Sequence, residues 1–280
     1  MPPPPVSGAL TVDAIRAHLQ TTSLGQTIHL LDETPSTNTA ALALSRDKAP
    51  HGTVVVAERQ TAGRGRLRRE WFSPSGGNLY CSVLLRRTIA PHVRERWLSW
   101  IPLIAGVAAA RGIRRVTGLD PRLKWPNDIL VGGKKAGGVL CETTGAGEAT
   151  PCVVIGIGIN VNTAVEDFPE EFREQATTLA SDAGVLIDRA TLLAAVLLEL
   201  ETRSEALAEG QDPDLAREYS GLCSTLGQRV RVSLIGGTTH EGWASTIGSD
   251  GSLHIVPDGT REDGGGDPLV VRAGDVTHLR

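Results

Sequence analysis

A run of glycines and arginines between residues 63 and 72 is the part of this sequence best suited to chemistry. It reads Gly-Arg-Gly-Arg-Leu-Arg-Arg-Glu-Trp-Phe, with four arginines among six consecutive residues. Like charges at this density repel one another, so an anionic ligand is the expected compensation. Arginine offers planar forks for phosphate or carboxylate oxygens, and Trp71 offers a flat ring on which a base can stack. A solvated basic loop is the alternative, but the glycines and the Trp-Phe pair favour phosphate binding.

Three further segments carry residues suited to a ligand, and each also has an ordinary structural interpretation. The run Leu-Lys-Trp-Pro-Asn-Asp-Ile places Lys124 and Asp128 in an apolar strand, where charges need partners. Lys135 precedes Ala-Gly-Gly, a sequence that permits close backbone approach. A later apolar strand ends in glycines and amides and would present Asn160 to a base edge. A structural ion pair, solvated lysines and an Asn turn explain these features equally well.

Two common phosphate-binding loops are excluded by the spacing of the glycines. The Walker A pattern fails at Gly133-Lys134, because Asp128 stands five positions before Gly133 and no Ser or Thr follows the lysine. The dinucleotide-binding pattern fails at Gly156-Ile157-Gly158, because residue 161 is valine.

Composition and charge narrow the classes of function. The 280 residues include 28 Lys and Arg against 32 Asp and Glu, and the net charge of -4 argues against a nucleic-acid binder. The four cysteines are not spaced for a zinc site and fit a reduced protein. No apolar run approaches the roughly 18 residues that cross a bilayer, and the Pro-rich start lacks the basic region of a signal peptide. A cytoplasmic location is therefore expected.

These segments must be positioned by a mixture of helices and strands. Helices are predicted over residues 11–18, from Ser36 through Leu44, and over 97–116, 189–208 and 214–222. Buried strands are predicted over 53–57, 79–85, 123–131, 138–142 and 152–161, with a polar loop over 60–78. Short alternating strands at 229–234, 241–247, 252–256 and 269–271 predict a terminal β-barrel of about 55 residues. Residues 1 to about 8 are expected to form a disordered Pro-rich tail.

In this order and spacing, the combined motifs resemble the biotin protein ligases. The resemblance covers about residues 30–280, and its most specific parts are the arginine segment (residues 63–72) and the Lys-Trp-Pro-Asn-Asp run. Leu67 and Glu70 depart from the small or basic residues that many relatives carry there. The matching motifs are Ser36-Thr37-Asn38, Gln60 to Arg66, Trp71 to Pro74, Asn78-Leu79-Tyr80, Lys124 to Asp128, Lys135 to Leu140 and Gly156 to Asn160.

The resemblance implies a fold and a domain order. It implies an α/β protein with a mixed-sheet catalytic domain resembling class II aminoacyl-tRNA synthetases, followed by a small SH3-like β-barrel. The expected divisions are a flexible N-terminal segment with a short helix (1–28), a biotin- and ATP-binding catalytic domain (29–223) and the SH3-like domain (224–280). Only 35 residues precede Ser36, which is too short for a winged DNA-binding domain. A monofunctional ligase, monomeric or homodimeric and without DNA or membrane partners, is therefore expected.

The implied reaction has two steps. Biotin and ATP form biotinyl-5'-AMP and pyrophosphate, with Mg²⁺ neutralising the departing pyrophosphate. A lysine on the biotin carboxyl carrier protein of an acetyl-CoA-type carboxylase then takes the biotin and releases AMP. Two anions must meet in the first step, so positioning and cationic screening are the main requirements.

The resemblance also assigns roles to individual residues. The catalytic residues are Lys135, Arg66, Asp128 and Lys124. The biotin-binding residues are Ser36, Thr37, Asn38, Gln60, Arg64, Gly65, Arg66, Lys135 and Gly138. The ATP-binding residues are Arg66, Arg69, Trp71, Asn127, Lys135 and Asn160. Asp128 is the candidate Mg²⁺ ligand, and the choice between Lys134 and Lys135 at the acyl phosphate stays open.

Two other functions compete with this interpretation. A lipoate-type acyl-adenylating ligase would share the catalytic fold, although the arginine segment before Trp71 and the terminal barrel favour biotin. A nucleic-acid-binding regulator would use the basic loop and the barrel, against the negative net charge.

Overall fold

Helices and strands alternate along most of the chain in the computed structural model, which describes residues 10–145, 150–210, 212–234, 237–258 and 268–279. The α-helices are α1 (Val12–His18), α2 (Thr37–Arg46), α3 (Pro91–Thr117), α4 (Glu170–Arg173), α5 (Leu179–Ala183), α6 (Arg189–Ala208) and α7 (Asp212–Leu222). The first strands are β1 (Ile28–Thr34), β2 (Val54–Gln60), β3 (Leu79–Arg86), β4 (Arg122–Lys124), β5 (Asp128–Val131), β6 (Lys134–Thr144) and β7 (Cys152–Ile159). The last strands are β8 (Arg229–Ser233), β9 (Thr239–Ile247), β10 (Leu253–Pro257), β11 (Leu269–Val271) and β12 (Asp275–His278).

The strands form two separate sheets. The larger is a mixed seven-stranded sheet in the order β1-β2-β3-β7-β6-β5-β4, in which β1 and β2 are parallel and the other neighbours are antiparallel. The smaller is an antiparallel five-stranded sheet in the order β11-β10-β9-β8-β12. The α/β class and the separate terminal β-unit predicted from the sequence are therefore confirmed.

The central strands of the larger sheet are apolar because both faces are covered. Side chains alternate between the faces of a strand, so Val54 and Val56 enter the main core while Val55 enters a smaller one. The main core lies on the side of α3 and α6. The smaller core lies beneath α2 and includes Ala41 and Leu84.

The N-terminal part of the described chain packs against the larger unit, which consists of the seven-stranded sheet and the helices that cover it. Thr11 accepts a hydrogen bond from the Ala14 amide and caps α1, which lies against α6. Ile15 and Leu24 are fully buried. Residues 1–9, where the sequence predicts a disordered tail, lie outside the described residues.

Most predicted elements are confirmed, and the differences concern one connection within a predicted strand and several short or edge elements that were not predicted. The predicted strand 123–131 is a hairpin of β4 and β5 joined at Trp125–Asn127, and the Trp125-Pro126 peptide is cis. The polar loop 60–78 contains a short 3-10 turn at Arg66–Arg68. Strands β1 and β12 and the short helices α4 and α5 are absent from the sequence-based prediction. The predicted turn around Gly264 to Gly266, together with Gly236, lies outside the described residues.

The two sheets meet through a turn between β9 and β10. The indole N–H of Trp100 on α3 donates to the Ser249 carbonyl at 2.8 Å, and that of Trp125 donates to the Gly251 carbonyl at 3.2 Å. A side chain at Gly251 would come within 2.9 Å of Leu103. The smaller sheet is thus fixed against both α3 and the β4–β5 hairpin.

No helix in the described ranges is long and apolar enough to cross a membrane.

Candidate active site

A cavity of about 1210 Å³ is lined by residues of β2 to β7 in the larger sheet and by β12 of the smaller one. It is bordered by the start of α2, the arginine segment, the β4–β6 region, the end of β7 and strand β12. Every residue assigned to the site from the sequence lines it, namely Ser36, Thr37, Asn38, Gln60, Arg64, Gly65, Arg66, Arg69, Trp71, Lys124, Asn127, Asp128, Lys135, Gly138 and Asn160. Lys134 lines it as well.

The start of α2 forms a buried polar end of the cavity. The Thr37 amide donates to Gln60 Oε1 at 2.9 Å, and Gln60 Nε2 donates to Ser73 Oγ at 2.9 Å. Ser82 Oγ lies 2.8 Å from Thr37 Oγ1 and 2.7 Å from Asn38 Oδ1. Buried polar groups held in this way are oriented before any ligand arrives.

Asn38 is held on both sides of its amide group. Its Nδ2 donates to the Leu140 carbonyl at 3.1 Å and to Glu142 Oε2 at 2.7 Å. Gly156 leaves room for this amide, since a Cβ there would lie 2.2 Å from Asn38 Oδ1. Asn38 therefore joins α2 to β6 and β7 and shapes the polar end of the cavity.

The arginine segment folds back on itself across the cavity mouth. The Gly65 amide donates to the Arg69 carbonyl at 2.7 Å, and the Trp71 amide donates to the Gly63 carbonyl at 2.9 Å. Gly63 is required here because a Cβ would lie 2.5 Å from the Trp71 carbonyl oxygen. Leu67 has a positive φ of 54°, which is costly for a residue with a side chain. Backbone strain of this kind is concentrated at functional sites.

The arginines of this segment are held by acceptors from three different parts of the fold. Arg64 Nη2 lies 3.2 Å from Glu142 Oε2 on β6. Arg66 Nη1 donates to Asn127 Oδ1 and to the Gly274 carbonyl, each at 3.3 Å. Burial lowers the pKa of Arg66, and the nearby carboxylates of Asp275 and Asp128 oppose that shift.

Lys135 has the most specific surroundings of the lysines in the cavity. Its Nζ lies 2.6 Å from Asp128 Oδ1 and 5.4 Å from the ring centre of Trp71. Both contacts hold a cation, the first by charge and the second by the ring quadrupole. Lys134 is exposed and forms no ion pair within the described part of the chain. Among the described residues, Lys135 therefore has an ion pair and a ring contact in the cavity that Lys134 lacks.

Trp71 lies flat on a pair of glycines. Gly138 on β6 and Gly158 on β7 are directly paired across the strands. A Cβ at Gly158 would lie 2.7 Å from Trp71 Nε1, and one at Gly138 would lie 3.7 Å from Trp71 Cζ3. The indole N–H is buried and has no hydrogen-bond partner among the described residues. The two glycines thus provide a flat floor for an aromatic ring.

Asn160 is buried at the end of β7 and is bonded to the protein through its Nδ2. That nitrogen donates to the carbonyls of Lys135 and Thr177, at 3.3 Å and 3.1 Å. The backbone N–H of Asn160 donates to the Ala136 carbonyl at 2.8 Å. Asn160 therefore fixes the backbone that carries Lys135.

Two groups of cavity residues are absent from the sequence-based assignment. The first is β12, which brings Asp275 and His278 to the cavity. His278 lies 3.1 Å from Thr225 Oγ1, and burial together with Lys124 lowers its pKa. The second is the segment 168–176, where Phe168 packs on Phe72 with ring centres 5.4 Å apart. The alternating Asp-Val-Thr-His sequence is a strand signal for β12, but nothing in it points to this cavity.

The cavity as a whole is suited to bringing two anions together. Cationic side chains from the arginine segment and from β6 surround one part, and preset hydrogen-bonding groups of α2 form the other. Cations near two reacting anions reduce their repulsion, and fixed donors orient a neutral polar group.

Comparison with known proteins gives matches over most of the chain. A model of the Biotin/lipoate A/B protein ligase family matches residues 30–160. A biotin--[acetyl-CoA-carboxylase] ligase of Mycobacterium tuberculosis is 38% identical over 258 residues, covering 90% of this chain and 89% of that protein. The bifunctional ligase/repressor BirA of Bacillus subtilis is 37% identical over 247 residues, covering 88% of this chain and 74% of that protein.

Solved structures match both sheets together. The biotin protein ligase from Aquifex aeolicus in complex with biotin and ATP aligns with a TM-score of 0.74 and 29% identity, over 91% of this chain and 99% of that one. The biotin protein ligase from Leishmania major in complex with biotinyl-5-AMP aligns with a TM-score of 0.59 and 28% identity, over 87% and 98% of the two chains.

Proposed function

This chain belongs to the biotin/lipoate A/B protein ligase family, and we propose on that basis that its cavity performs the biotin chemistry of the family. The protein is an ATP-dependent biotin protein ligase, which forms biotinyl-5'-AMP and transfers biotin to a lysine of a biotin carboxyl carrier protein. The observation that carries this proposal is the single cavity in which Lys135, the arginine segment and the polar start of α2 converge. The Mycobacterium tuberculosis relative named as a biotin--[acetyl-CoA-carboxylase] ligase matches 90% of the chain.

In the first step, an oxygen of the biotin carboxylate attacks the α-phosphorus of ATP. The bond from that phosphorus to the bridging oxygen breaks, and pyrophosphate leaves. Both reactants are anions, so the ammonium of Lys135 and the guanidinium groups of Arg66 and Arg69 supply the compensating charge. Lys135 is already oriented by Asp128 and Trp71, so little reorganisation is needed when the reactants bind.

The neutral ureido group of biotin needs hydrogen-bonding partners rather than charges. Ser36, Thr37 and Gln60 lie at the polar end of the cavity, and hydrogen bonds between Thr37 and Gln60 orient both of those side chains. Asn38 supports this end through Glu142. Arg64, Gly65 and Gly138 complete the proposed biotin site.

The nucleotide is proposed to lie along the arginine segment. Trp71 offers its ring to adenine, and Arg66 and Arg69 offer forks to the phosphates. Asn127 orients Arg66, and Asn160 supports the strand ends beside it. Lys124 adds a positive charge on β4.

In the second step, the carrier lysine attacks the acyl carbon of biotinyl-5'-AMP. The bond between that carbon and the phosphate oxygen breaks, AMP leaves, and the amine loses a proton as the amide forms. No nucleophile on the enzyme is needed. The cavity has to hold the mixed anhydride and keep water from it until the carrier arrives.

Mg²⁺ fits this cavity as a partner of ATP rather than as a resident ion. Mg²⁺ is usually bound by one or two carboxylates together with substrate phosphates. Asp128 is a cavity carboxylate that suits this role, although it is paired with Lys135. No cluster of three or more potential metal ligands occurs within the described ranges. Bound there, Mg²⁺ would neutralise charge on the departing pyrophosphate.

The finer assignments from the sequence are part of the same proposal. We assign the larger unit to the fold of class II aminoacyl-tRNA synthetases and the five-stranded sheet to the SH3-like barrels. The proposed divisions are the N-terminal segment 1–28, the catalytic domain 29–223 and the SH3-like domain 224–280. The cytoplasmic location, the monomeric or dimeric state and the lack of DNA binding stay predictions. An electrophoretic shift with a steep salt dependence would revive a nucleic-acid role.

Pyrophosphate release from ATP, measured with and without biotin, tests the function directly. Release that depends on biotin is expected, followed by transfer to a purified carrier domain. Lipoate in place of biotin is the matched control, because it uses the same chemistry with a different acyl group. Release with lipoate and none with biotin would overturn the assignment in favour of a lipoate-type ligase.

A further inference from the structure

A contact between Arg69 and Asp275 joins the arginine segment to the smaller sheet. Arg69 Nη1 donates to Asp275 Oδ1 at 3.3 Å, and Arg69 Nη2 donates to Asp275 Oδ2. Arg66 adds a second link, because its Nη1 donates to the Gly274 carbonyl at 3.3 Å. Two neighbouring residues at the start of β12 therefore hold two arginines of the segment that crosses the cavity mouth.

The start of β12 is firmly placed, so it can serve as an anchor. Asp275 pairs with Ser233 on β8. A Cβ at Gly274 would lie 3.1 Å from the Ser233 carbonyl oxygen and 3.1 Å from Val232. The sheet that carries β12 is itself fixed to the larger unit through Trp100 and Trp125.

We propose that Asp275 is a positioning residue for Arg69, and that their contact closes the arginine segment over the cavity once pyrophosphate has left. The inference rests on the proposed function, because it concerns the interval between adenylate formation and transfer. Asp275 acts through Arg69 and takes no part in bond formation.

The reason lies in the charges that compete for one guanidinium fork. The fork that Arg69 presents to the Asp275 carboxylate also suits phosphate oxygens. ATP brings a multiply charged polyphosphate, which attracts Arg69 more strongly than a single carboxylate does. Biotinyl-5'-AMP carries one phosphate group, and with pyrophosphate gone Asp275 again becomes the better partner. The segment then returns to β12 while the reactive anhydride is still in the cavity.

The size of the effect follows from the exposure of the pair. The side chains of Arg69 and Asp275 are 64% and 36% exposed. Exposed ion pairs contribute about 0.2–1 kcal/mol, which corresponds to roughly a 1.4- to 5-fold change in a rate or equilibrium constant. The contact therefore tunes retention of the adenylate without making it irreversible.

The test uses preformed, labelled biotinyl-5'-AMP on the full-length protein. Asp275→Ala is expected to release the adenylate about 1.4- to 5-fold faster, a larger change than any in the rate of adenylate formation. Asp275→Glu should recover much of the wild-type retention. Asp258→Ala is the matched control, because it removes another partly exposed pair of the same sheet, with Arg229 at 2.6 Å, away from the cavity. It should release the adenylate at the wild-type rate.

A second pair of variants shows whether Asp275 acts through Arg69. In an Arg69→Ala background, Asp275→Ala is expected to cause no further change in release. Unchanged release from the single Asp275→Ala variant would overturn the proposal, and so would an equal acceleration in both backgrounds. Failure of the proposed function is distinguishable, because the wild-type protein would then show no biotin-dependent pyrophosphate release.

Discussion

At the scale of single residues, the lysines of β6 show how neighbours in sequence acquire different surroundings. Lys135 contacts Asp128 and Trp71, whereas its neighbour Lys134 is exposed. The side chains of successive strand residues point to opposite sides of the sheet. Two adjacent lysines can therefore differ completely in their contacts, as Lys134 and Lys135 do.

Lys135→Ala is expected to slow biotinyl-5'-AMP formation by about 10²-fold, with a smaller effect on ATP binding. In the proposed mechanism its charge lies where two anions approach, so we expect the contact to be stronger in the transition state than in the ground state. Single-turnover kinetics with ATP titration separates the two effects. Lys134→Ala is the control and should change neither quantity by more than about 2-fold. A raised KM for ATP with an unchanged kcat in Lys135→Ala would contradict the assignment.

The glycine pair beneath Trp71 gives a second prediction at this scale. Gly158→Ala places a methyl group 2.7 Å from Trp71 Nε1 and displaces the indole from the floor of the cavity. Because stacking on an aromatic ring is worth about 1–3 kcal/mol per base, the KM for ATP should rise at least about 5-fold. Biotin binding measured by calorimetry without ATP should change less. Equal losses for both substrates would mean that Trp71 does not discriminate between the two parts of the cavity.

At the scale of elements, the contact between α3 and α6 sets the thickness of the larger unit. Gly112 on α3 faces Val196 on α6, and a Cβ at Gly112 would lie 2.7 Å from Val196 Cγ2 and 2.9 Å from its backbone nitrogen. The helices approach so closely because this position has no side chain.

Gly112→Ala should therefore lower the free energy of unfolding by about 1–3 kcal/mol, the usual cost of overpacking a core. Urea denaturation measures the change. Gly221→Ala in α7 is the control, because nothing lies within 4 Å of a Cβ there, and alanine favours a helix over glycine by up to about 1 kcal/mol. Equal stability of the Gly112→Ala and wild-type proteins would show that α6 can move away from α3 at little cost.

At the scale of the whole molecule, two tryptophans fix the smaller sheet to the larger unit. Trp100→Phe removes the hydrogen bond to the Ser249 carbonyl while keeping most of the apolar surface. The loss expected from this bond is about 0.5–1.5 kcal/mol of unfolding free energy. Trp97→Phe is the matched control, because the Trp97 indole N–H has no hydrogen-bond partner among the described residues. If both variants lose the same stability, the bond to Ser249 contributes nothing.

The histidine on β12 makes the stability of the molecule depend on pH. Burial and the charge of Lys124 lower the pKa of His278 below its ordinary 6.5. As pH falls below about 6.5, the unfolded chain takes up a proton that the folded chain resists, so stability is lost on acidification. His278→Gln should reduce the loss of unfolding free energy between pH 7 and pH 5. Burial also lowers the pKa of His51, so part of the stability loss on acidification should persist in His278→Gln. An unchanged pH profile of stability in His278→Gln would disprove the effect of His278.

The sequence by itself determined the local features. Apolar runs identified the central strands, because a strand that is buried on both faces consists almost entirely of apolar residues. Helical periodicity identified the long helices, because a helix that buries one face repeats apolar residues every three or four positions. The motifs Gly-Arg-Gly-Arg and Lys-Trp-Pro-Asn-Asp identified two of the segments that line the cavity, because each motif stands on one continuous stretch of chain.

Only the tertiary structure decided which distant segments meet at the cavity. Strand β1 lies at an edge of its sheet and is only partly buried, so its alternation of apolar and polar residues is weak. Strand β12 is four residues long, which is too short for a clear alternating pattern. The positions of Asp275 and His278 follow from the pairing of β12 with β8 and from the docking of the smaller sheet on Trp100 and Trp125. Pairing and docking depend on contacts between residues far apart in the chain, and such contacts have no counterpart in local sequence.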